Sequence, residues 1–268
     1  MRKLTFHYEM QLDFDDSVTE HHFLFRCLPY EDSTQKCYGI RYGIEPAGSV
    51  CETVDGFGNR ACMGEIMGPH RFLKVWAQGQ VYVDSFARGT EQCHPMFLFP
   101  SEYTVPDQGI RQLVEAAERD AAEAAGGTVT AEDRFSLALV LMHRLYRHFS
   151  YAAGKTSVYT TAAQAFAGGS GVCQDYAHIF IALCRTAGIP ARYVAGMMVG
   201  EGATHAWVEV WSEGTWIGMD PTHDCVVNEE YIKLSHGRDF GDCAVDRGCF
   251  QGATVQHQKI CVKVEEKT

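Results

Sequence analysis

A chain of 268 residues is long enough to bury one large core or two modest ones, and 46% hydrophobic with 21% charged residues is the composition of a globular protein. The formal net charge of -11 at pH 7 argues against nucleic acid and anionic membrane surfaces as partners, because both repel an acidic chain. The sequence contains no long uninterrupted apolar run, so it predicts no membrane-spanning segment.

The amino terminus and the cysteines together predict a cytoplasmic protein with reduced thiols. Arg2 and Lys3 could open a signal peptide, but no apolar segment follows them. The 11 cysteines are an odd number and are scattered along the chain, so without an export signal we interpret them as free thiols. Because most buried cysteines act simply as small apolar residues, a catalytic cysteine has to be recognised from the residues around it.

The first part of the chain predicts an N-terminal β-rich module over residues 1–105. Every second residue is apolar over residues 4–14 and again over 38–44, a period that is typical of strands with one buried face. Residues 55–59 indicate a turn, and residues 72–83 predict a hairpin that turns at Gln78 and Gly79. Strands joined by such turns predict an antiparallel β-sandwich.

A linker and a change of period separate this module from the rest of the chain. Three prolines within residues 95–106 indicate the linker. Apolar residues then recur with a helical period, which predicts a second domain at residues 106–268. Its helices are predicted near residues 110–117, at 135–149 after an N-cap at Thr130 with Asp133, and at 173–187 before Gly188.

Strands follow the third helix. Residues 191–199, 205–211 and 215–219 are predicted as strands, with Gly214 in the turn between the last two. Helices that precede an antiparallel sheet form an α+β arrangement. The predicted fold class is therefore α+β.

The start of the third helix carries the first chemical signal. Cys173 is predicted in its first turn, where unpaired backbone N–H groups and the helix dipole favour a thiolate over a thiol. Only the thiolate attacks a carbonyl. The Gly-rich residues 168–171 allow a substrate backbone to approach closely, and the N–H of Cys173 could bind the oxyanion that forms on the acyl carbon.

Two further residues complete a candidate triad. His205 begins one predicted strand and Asp220 ends the next. The turn at Gly214 makes these strands neighbours, so Asp220 can pair with His205 beside the helix that begins at Cys173. A carboxylate in that position holds the imidazole in one tautomer and stabilises its charged form. The sequence thus predicts a nucleophile, a base and a group that orients the base.

Short motifs around these three residues resemble the transglutaminase-like superfamily. The motifs are Gly171-Val172-Cys173-Gln174-Asp175-Tyr176-Ala177-His178, Gly188-Ile189-Pro190-Ala191-Arg192-Tyr193, His205-Ala206-Trp207-Val208-Glu209 and Asp220-Pro221-Thr222. The tail of the bacterial members is similar to Gly237-Arg238-Asp239-Phe240 with Arg247-Gly248 and Gly252. The β-rich first segment resembles the N-terminal region that accompanies them.

The resemblance implies a papain-like cysteine-peptidase fold for the second domain and a Cys-His-Asp triad made of Cys173, His205 and Asp220. It implies a peptide or protein amide as substrate. Neither a metal nor an organic cofactor is implied. The spacing of Cys243 and Cys249 is also not that of a zinc site.

Weaker candidates lie close to these residues in the sequence. Gln164 or Tyr159 could supply a side-chain donor to the oxyanion, and the sequence does not choose between them. Trp207 could wall the site or pack against the core, and His223 could line the cleft. We expect a structural role for His178, whose position along the helix turns it away from the nucleophile.

The sequence leaves the second half of the reaction open. An acyl group held on Cys173 can pass to water, which makes a peptidase or amidase, or to an amine, which makes a transglutaminase. Because an exposed cleft admits water, hydrolysis is favoured. A non-catalytic binding module is the alternative from another class, and the presence of all three triad residues argues against it. The oligomeric state is not predicted.

Overall fold

The structure of the protein is a computed structural model that describes residues 1–85, 87, 91–125 and 134–267. Its helices are α1 Gln108–Ala125, α2 Arg134–His148, α3 Ala162–Gly168, α4 Cys173–Thr186 and α5 Phe240–Cys243. Its strands are β1 Arg2–Phe25, β2 Gln35–Glu45, β3 Ser49–Val54, β4 Arg60–Ile66, β5 His70–Val83, β6 Ser150–Tyr151, β7 Ser170–Gly171, β8 Ala191–Met198, β9 Gly200–Gly202, β10 His205–Ser212, β11 Thr215–Asp220, β12 Cys225–Val226, β13 Tyr231–Gly237, β14 Asp246–Gln251 and β15 Gln256–Glu266. The N-cap predicted at Thr130 and Asp133 lies outside the described residues.

The larger sheet is built around β1, which is 24 residues long. The first half of β1 pairs antiparallel with β5 and β15, and its last residues pair with β4 and β14. The sheet has eight strands, with β2 beside β5, β9 beside β15 and β3 beside β4. The alternation predicted for residues 4–14 is confirmed, since its apolar residues are at most 5% exposed. A sandwich of two packed sheets stays a prediction.

The hairpin predicted over residues 72–83 is wrong. β5 continues from His70 to Val83 without a break, and Gly79 pairs with Phe6 in the middle of it. Gly79 provides space rather than a turn, because an added Cβ would lie 2.5 Å from Cδ1 of Ile40 on the neighbouring strand. A glycine inside a strand often marks such a close approach.

The proline-containing stretch is held in place by a buried arginine. Residues Pro95–Leu98 and Glu102–Thr104 form two short 3-10 helices. The guanidinium of Arg185 on α4 donates to the carbonyl of Phe97 at 3.1 Å and to Oγ1 of Thr104 at 2.8 Å. Because a buried guanidinium needs such acceptors, the stretch is a packed part of the fold.

The second sheet contains the strands predicted after the third helix. Its five antiparallel strands have the order β12-β11-β10-β8-β13, and β8, β10 and β11 match the predicted bounds to within one residue. α4 packs against β8 and β10 and also against α1, α2 and α3, so its middle residues are buried on every side. One apolar core connects both sheets.

Within the described ranges, no helix combines the length and the apolar character needed to cross a membrane.

Candidate active site

Cys173 is the first residue of α4, and its neighbours fix the start of this helix. Oδ2 of Asp175 accepts the backbone N–H of Val172 and the hydroxyl of Thr156, both at 2.7 Å. The same carboxylate leaves no space for a side chain at Gly171, where an added Cβ would lie 2.3 Å from Oδ2. The glycine and the aspartate of this motif therefore act together to position the Cys173 thiol at the helix N-terminus.

His205 and its carboxylate partner come from two adjacent strands. β10 and β11 are joined by a tight turn in which Gly214 has a φ of 78°, as a two-residue hairpin requires. The ladder pairs Val208 with Met219, so Asp220 projects on the same face of the sheet as His205. Nε2 of His205 lies 2.7 Å from Oδ2 of Asp220, which is the distance of a charge-assisted hydrogen bond.

His205 interacts with both the Cys173 thiol and the Asp220 carboxylate. Burial alone would lower the pKa of His205, but its hydrogen bond to Asp220 and the nearby Cys173 outweigh burial and raise the pKa to about 9. For Asp220, burial acts upward, but the hydrogen bonds from His205 and His223 act more strongly and lower the pKa to about 2. At neutral pH the pair is therefore an imidazolium and a carboxylate. Since Nε2 bonds to Asp220, Nδ1 is the nitrogen available to Cys173.

Asp220 has more partners than the sequence indicated. Its side chain is fully buried, and Oδ1 accepts the backbone N–H of Thr222 at 2.9 Å. Oδ2 also accepts from Nδ1 of His223 at 2.7 Å and from the hydroxyl of Tyr231 at 3.0 Å. Tyr231 begins β13, a strand that the sequence analysis did not predict. Nothing in the local pattern distinguishes this tyrosine from a core residue, so only its contact with Asp220 identifies it.

Tyr151 is a second neighbour that sequence reasoning missed. It lies in β6, which pairs in parallel with β7 and sets Tyr151 beside Gly171, two residues before the nucleophile. The side chain is 61% exposed. Its pKa is raised first by partial burial and then by the nearby Cys173. A strand of two residues has no periodic signal, which explains why the sequence did not indicate it.

The remaining candidates occupy different environments. Oε1 of Gln164 accepts the backbone N–H of Thr161 at 3.0 Å and so caps α3. Tyr159 is 77% exposed and lines the same surface pocket as Gln164. Trp207 is buried, with its ring centroid 6.4 Å from that of His205. It packs against the site from within the core.

His178 is a fully buried residue of α4. Its Nε2 accepts the backbone N–H of Phe240 at 3.1 Å, and its ring stacks on Tyr103. Burial, followed by the charge of Arg185, lowers the pKa of His178 to about 3, so the ring is neutral. These contacts are those of a structural residue that ties α4 to α5.

In the part of the chain that the structure describes, one group of side chains has the proximity of a metal site. It consists of His205, Asp220 and His223, whose nitrogen and oxygen atoms lie within 4.8 Å of one another. Both N···O distances of 2.7 Å are those of hydrogen bonds, and a ring nitrogen that donates its proton has no lone pair for a metal. The three side chains therefore form a hydrogen-bonded cluster.

Sequence models of two families match this chain. The model of the transglutaminase-like superfamily matches residues 122–221, a range that contains Cys173, His205 and Asp220. The model of the bacterial transglutaminase-like N-terminal region matches residues 4–82.

Several known proteins are similar to this chain in sequence or in fold. An uncharacterized protein of Mycobacterium bovis is 29% identical over 265 residues, which cover 88% of this chain and 83% of the relative. A protein-glutamine gamma-glutamyltransferase of Pseudomonas aeruginosa is 40% identical over 67 residues, which are 20% of this chain and 10% of that enzyme. The crystal structure of "a Putative Cysteine Protease from Cytophaga hutchinsonii" covers 99% of this chain and 90% of its own, with a TM-score of 0.77 at 22% identity, and so shares the fold. The resemblance seen in the motifs is confirmed: residues 122–221 match the transglutaminase-like superfamily, and residues 4–82 match the bacterial transglutaminase-like N-terminal region.

Proposed function

We propose that this protein is a cysteine-dependent enzyme that transfers acyl groups at the amide bonds of a peptide or protein. The observation that carries the proposal is the hydrogen bond of His205 to the buried Asp220 carboxylate, with Cys173 close enough to raise the pKa of His205. Cys173 is the nucleophile, His205 is first the base and then the acid, and Asp220 orients the imidazole. No cofactor takes part.

The reaction begins when the thiolate of Cys173 attacks the carbonyl carbon of the amide. As the C–S bond forms, the π electrons of the carbonyl move to oxygen, and the backbone N–H of Cys173 at the start of α4 stabilises the oxyanion. When the C–N bond breaks, the leaving amine takes the proton of His205. The products of this half-reaction are a thioester on Cys173, a free amine and a neutral imidazole.

Water or an amine then resolves the thioester. The neutral His205 takes a proton from the incoming nucleophile, which attacks the acyl carbon and releases the Cys173 thiolate. We favour water as this nucleophile, because Cys173 is partly exposed and its neighbour Tyr151 is 61% exposed. The protein is then a thiol hydrolase of the peptidase or amidase type. Its similarity to a glutamyltransferase keeps transfer to an amine as the alternative.

Parallel incubations distinguish these two outcomes. The protein is mixed with glutamine-containing peptides, with and without a biotinylated primary amine, and the products are followed by mass spectrometry and ammonia release. Hydrolysis predicts cleaved or deamidated peptides whether or not the amine is present, whereas transamidation predicts incorporation of biotin. Cys173→Ala should abolish either product, because the thioester cannot form.

A non-catalytic binding module is the competing hypothesis, and it predicts that Cys173→Ala changes nothing. A wild-type Cys173 that reacts with alkylating agents no faster than an ordinary surface thiol would favour that hypothesis over ours.

We also propose that the protein is cytoplasmic. Cell fractionation with an antibody to the native protein tests it directly.

A further inference from the structure

The carboxylate of Asp220 is shared between two histidines. Its Oδ2 atom accepts from Nε2 of His205 and from Nδ1 of His223, each at 2.7 Å, and from the hydroxyl of Tyr231 at 3.0 Å. A nucleophile–base–carboxylate triad needs only the first of these bonds. His205 and His223 therefore compete for the lone pairs of one oxygen.

The turn after β11 aims His223 back at Asp220. The backbone N–H of Thr222 donates to Oδ1 of Asp220 at 2.9 Å, which anchors the beginning of the turn. Asp224, in the left-handed region with a φ of 54°, bonds to Nδ1 of His143 on α2 and anchors its end. The side chain of His223 is 48% exposed, so it reaches the buried carboxylate from the solvent side.

The titratable groups that face the carboxylate come from several elements. They are His205 of β10, His223 of the turn, Tyr231 of β13, Cys225 of β12 beside Tyr231, and Cys173 of α4 beyond His205. The ring centroids of the two histidines are only 5.2 Å apart. A neutral His223 draws electron density from Oδ2, and a charged His223 also repels the imidazolium. Both effects weaken the hold of Asp220 on the proton of His205.

We propose that His223 is a positioning residue, which shares Oδ2 of Asp220 with His205 and limits how tightly Asp220 holds the proton on His205. The inference rests on the proposed function, in which His205 must give a proton to the leaving amine. A carboxylate bonded to His205 alone would hold the imidazolium more firmly and make it a poorer acid near neutral pH. Sharing the oxygen therefore favours the proton transfer.

Carboxymethylation of Cys173 by iodoacetate reports the charge of His205 without any substrate. Iodoacetate is an anion, so an imidazolium beside the thiolate attracts it, and the rate falls as rising pH removes the proton from His205. Iodoacetamide has no charge and controls for the thiolate itself. Because the chain has 11 cysteines, the reaction at Cys173 is followed by peptide mass spectrometry across the acid, neutral and alkaline range.

In His223→Phe, the alkaline fall of the rate should move upward by about one pH unit, because one charge-assisted competitor for Oδ2 is lost. His223→Gln can still donate an amide N–H to Asp220, and its profile should stay close to the wild type. His257→Phe is the matched control, since it breaks the exposed pair with Asp15, and its profile should not move.

The inference is wrong if the alkaline fall of the carboxymethylation rate stays at the wild-type pH, or moves to lower pH, in a folded His223→Phe. It is also wrong if His223→Phe and His223→Gln move this fall upward by the same amount. Should His223→Phe fold poorly in thermal melting, His223→Ala repeats the test. If wild-type Cys173 reacts below neutral pH no faster than the exposed Cys51, the proposed function fails and the inference with it. If the wild type shows the alkaline fall and His223→Phe leaves it in place, only the role of His223 fails.

Discussion

The two sheets each contain a largely buried histidine beside another titratable side chain, and the pKa values of His21 and His205 shift in opposite directions. In the larger sheet, Nδ1 of His21 lies 3.1 Å from Nε2 of His70, and burial, followed by the charge of His70, lowers the pKa of His21 to about 4. In the second sheet, His205 bonds to Asp220 and its pKa rises to about 9. Burial is high at both positions, so the partner decides whether the imidazole is neutral or charged.

The opposite pKa shifts distinguish a histidine that packs in the core, His21, from one that can exchange a proton in a reaction, His205. His21 lies where β1 changes partners and its register shifts, and its neutral ring packs against Phe14, Phe23 and Phe250. Among the described residues, the side chain that hydrogen-bonds to His21 is the imidazole of His70, not a carboxylate. His205 bonds to a carboxylate, so the buried carboxylate is the feature whose removal should have the largest effect.

Asp220→Asn should lower kcat/KM for a peptide amide by on the order of 10³–10⁴-fold, because the amide cannot hold the imidazolium and favours the wrong tautomer. The measurement compares initial rates of amide hydrolysis at neutral pH. Asp15→Asn, which alters an exposed aspartate paired with His257, is the matched control and should retain full activity. A loss of less than tenfold in Asp220→Asn would contradict the role that we give to this carboxylate.

The same pair should stabilise the fold in a pH-dependent way. Because the folded pKa of His205 lies above the value near 6.5 of an exposed histidine, its stabilisation is complete below about pH 6.5 and is lost as pH rises towards 9. Urea unfolding of the wild type should show a loss on the order of 3 kcal/mol over that interval. Asp220→Asn should lack most of this loss. If the unfolding free energies of the two proteins fall in parallel with rising pH, the His205–Asp220 pair is not its cause.

His21 should make the opposite contribution on the acid side. Its folded pKa lies below the unfolded value, so the unfolded chain binds more protons, and stability falls as pH decreases from about 6.5 towards 4. His21→Gln should reduce the loss of unfolding free energy between about pH 7 and 5 by roughly 2 kcal/mol. Some acid sensitivity remains in the variant, because burial also lowers the pKa values of His178 and His236.

The control for this experiment is His148→Gln, at the exposed end of α2. It should follow the wild-type curve throughout. An acid decline that is as steep in His21→Gln as in the wild type would mean that the buried histidine pair of the larger sheet does not oppose protonation.

Tyr231→Phe should have the smallest effect. It removes one O–H donor from Asp220 and leaves both histidines in place, so we expect a decrease in kcat/KM of about tenfold, the equivalent of one hydrogen bond. Tyr38→Phe, on the exposed face of β2, serves as the comparison and should be neutral. A decrease as large as that in Asp220→Asn would mean that Tyr231, rather than the histidines, holds the carboxylate in position.

Local patterns predicted the parts of the fold that depend on one periodic segment. α4 and the strands β8, β10 and β11 lie close to where their periodicity indicated. Gly79 shows where that reasoning ends. In the sequence, a glycine in a turn looks the same as a glycine in a strand that leaves space for a side chain of the neighbouring strand. Gly79 is of the second kind, because it leaves space for Ile40, and the hairpin prediction was therefore wrong.

The sequence by itself determined the helix that begins at Cys173, the hairpin that brings Asp220 to His205, and the family of the chain. Each of these depends on residues close together in the chain, so turn chemistry, capping and periodicity are sufficient to predict them. The bonds from Tyr231 and His223 to Asp220 were decided by the tertiary structure. Tyr231 reaches the carboxylate through β13, and His223 reaches it through a turn tied to α2, because which donors surround a buried charge depends on how distant segments pack.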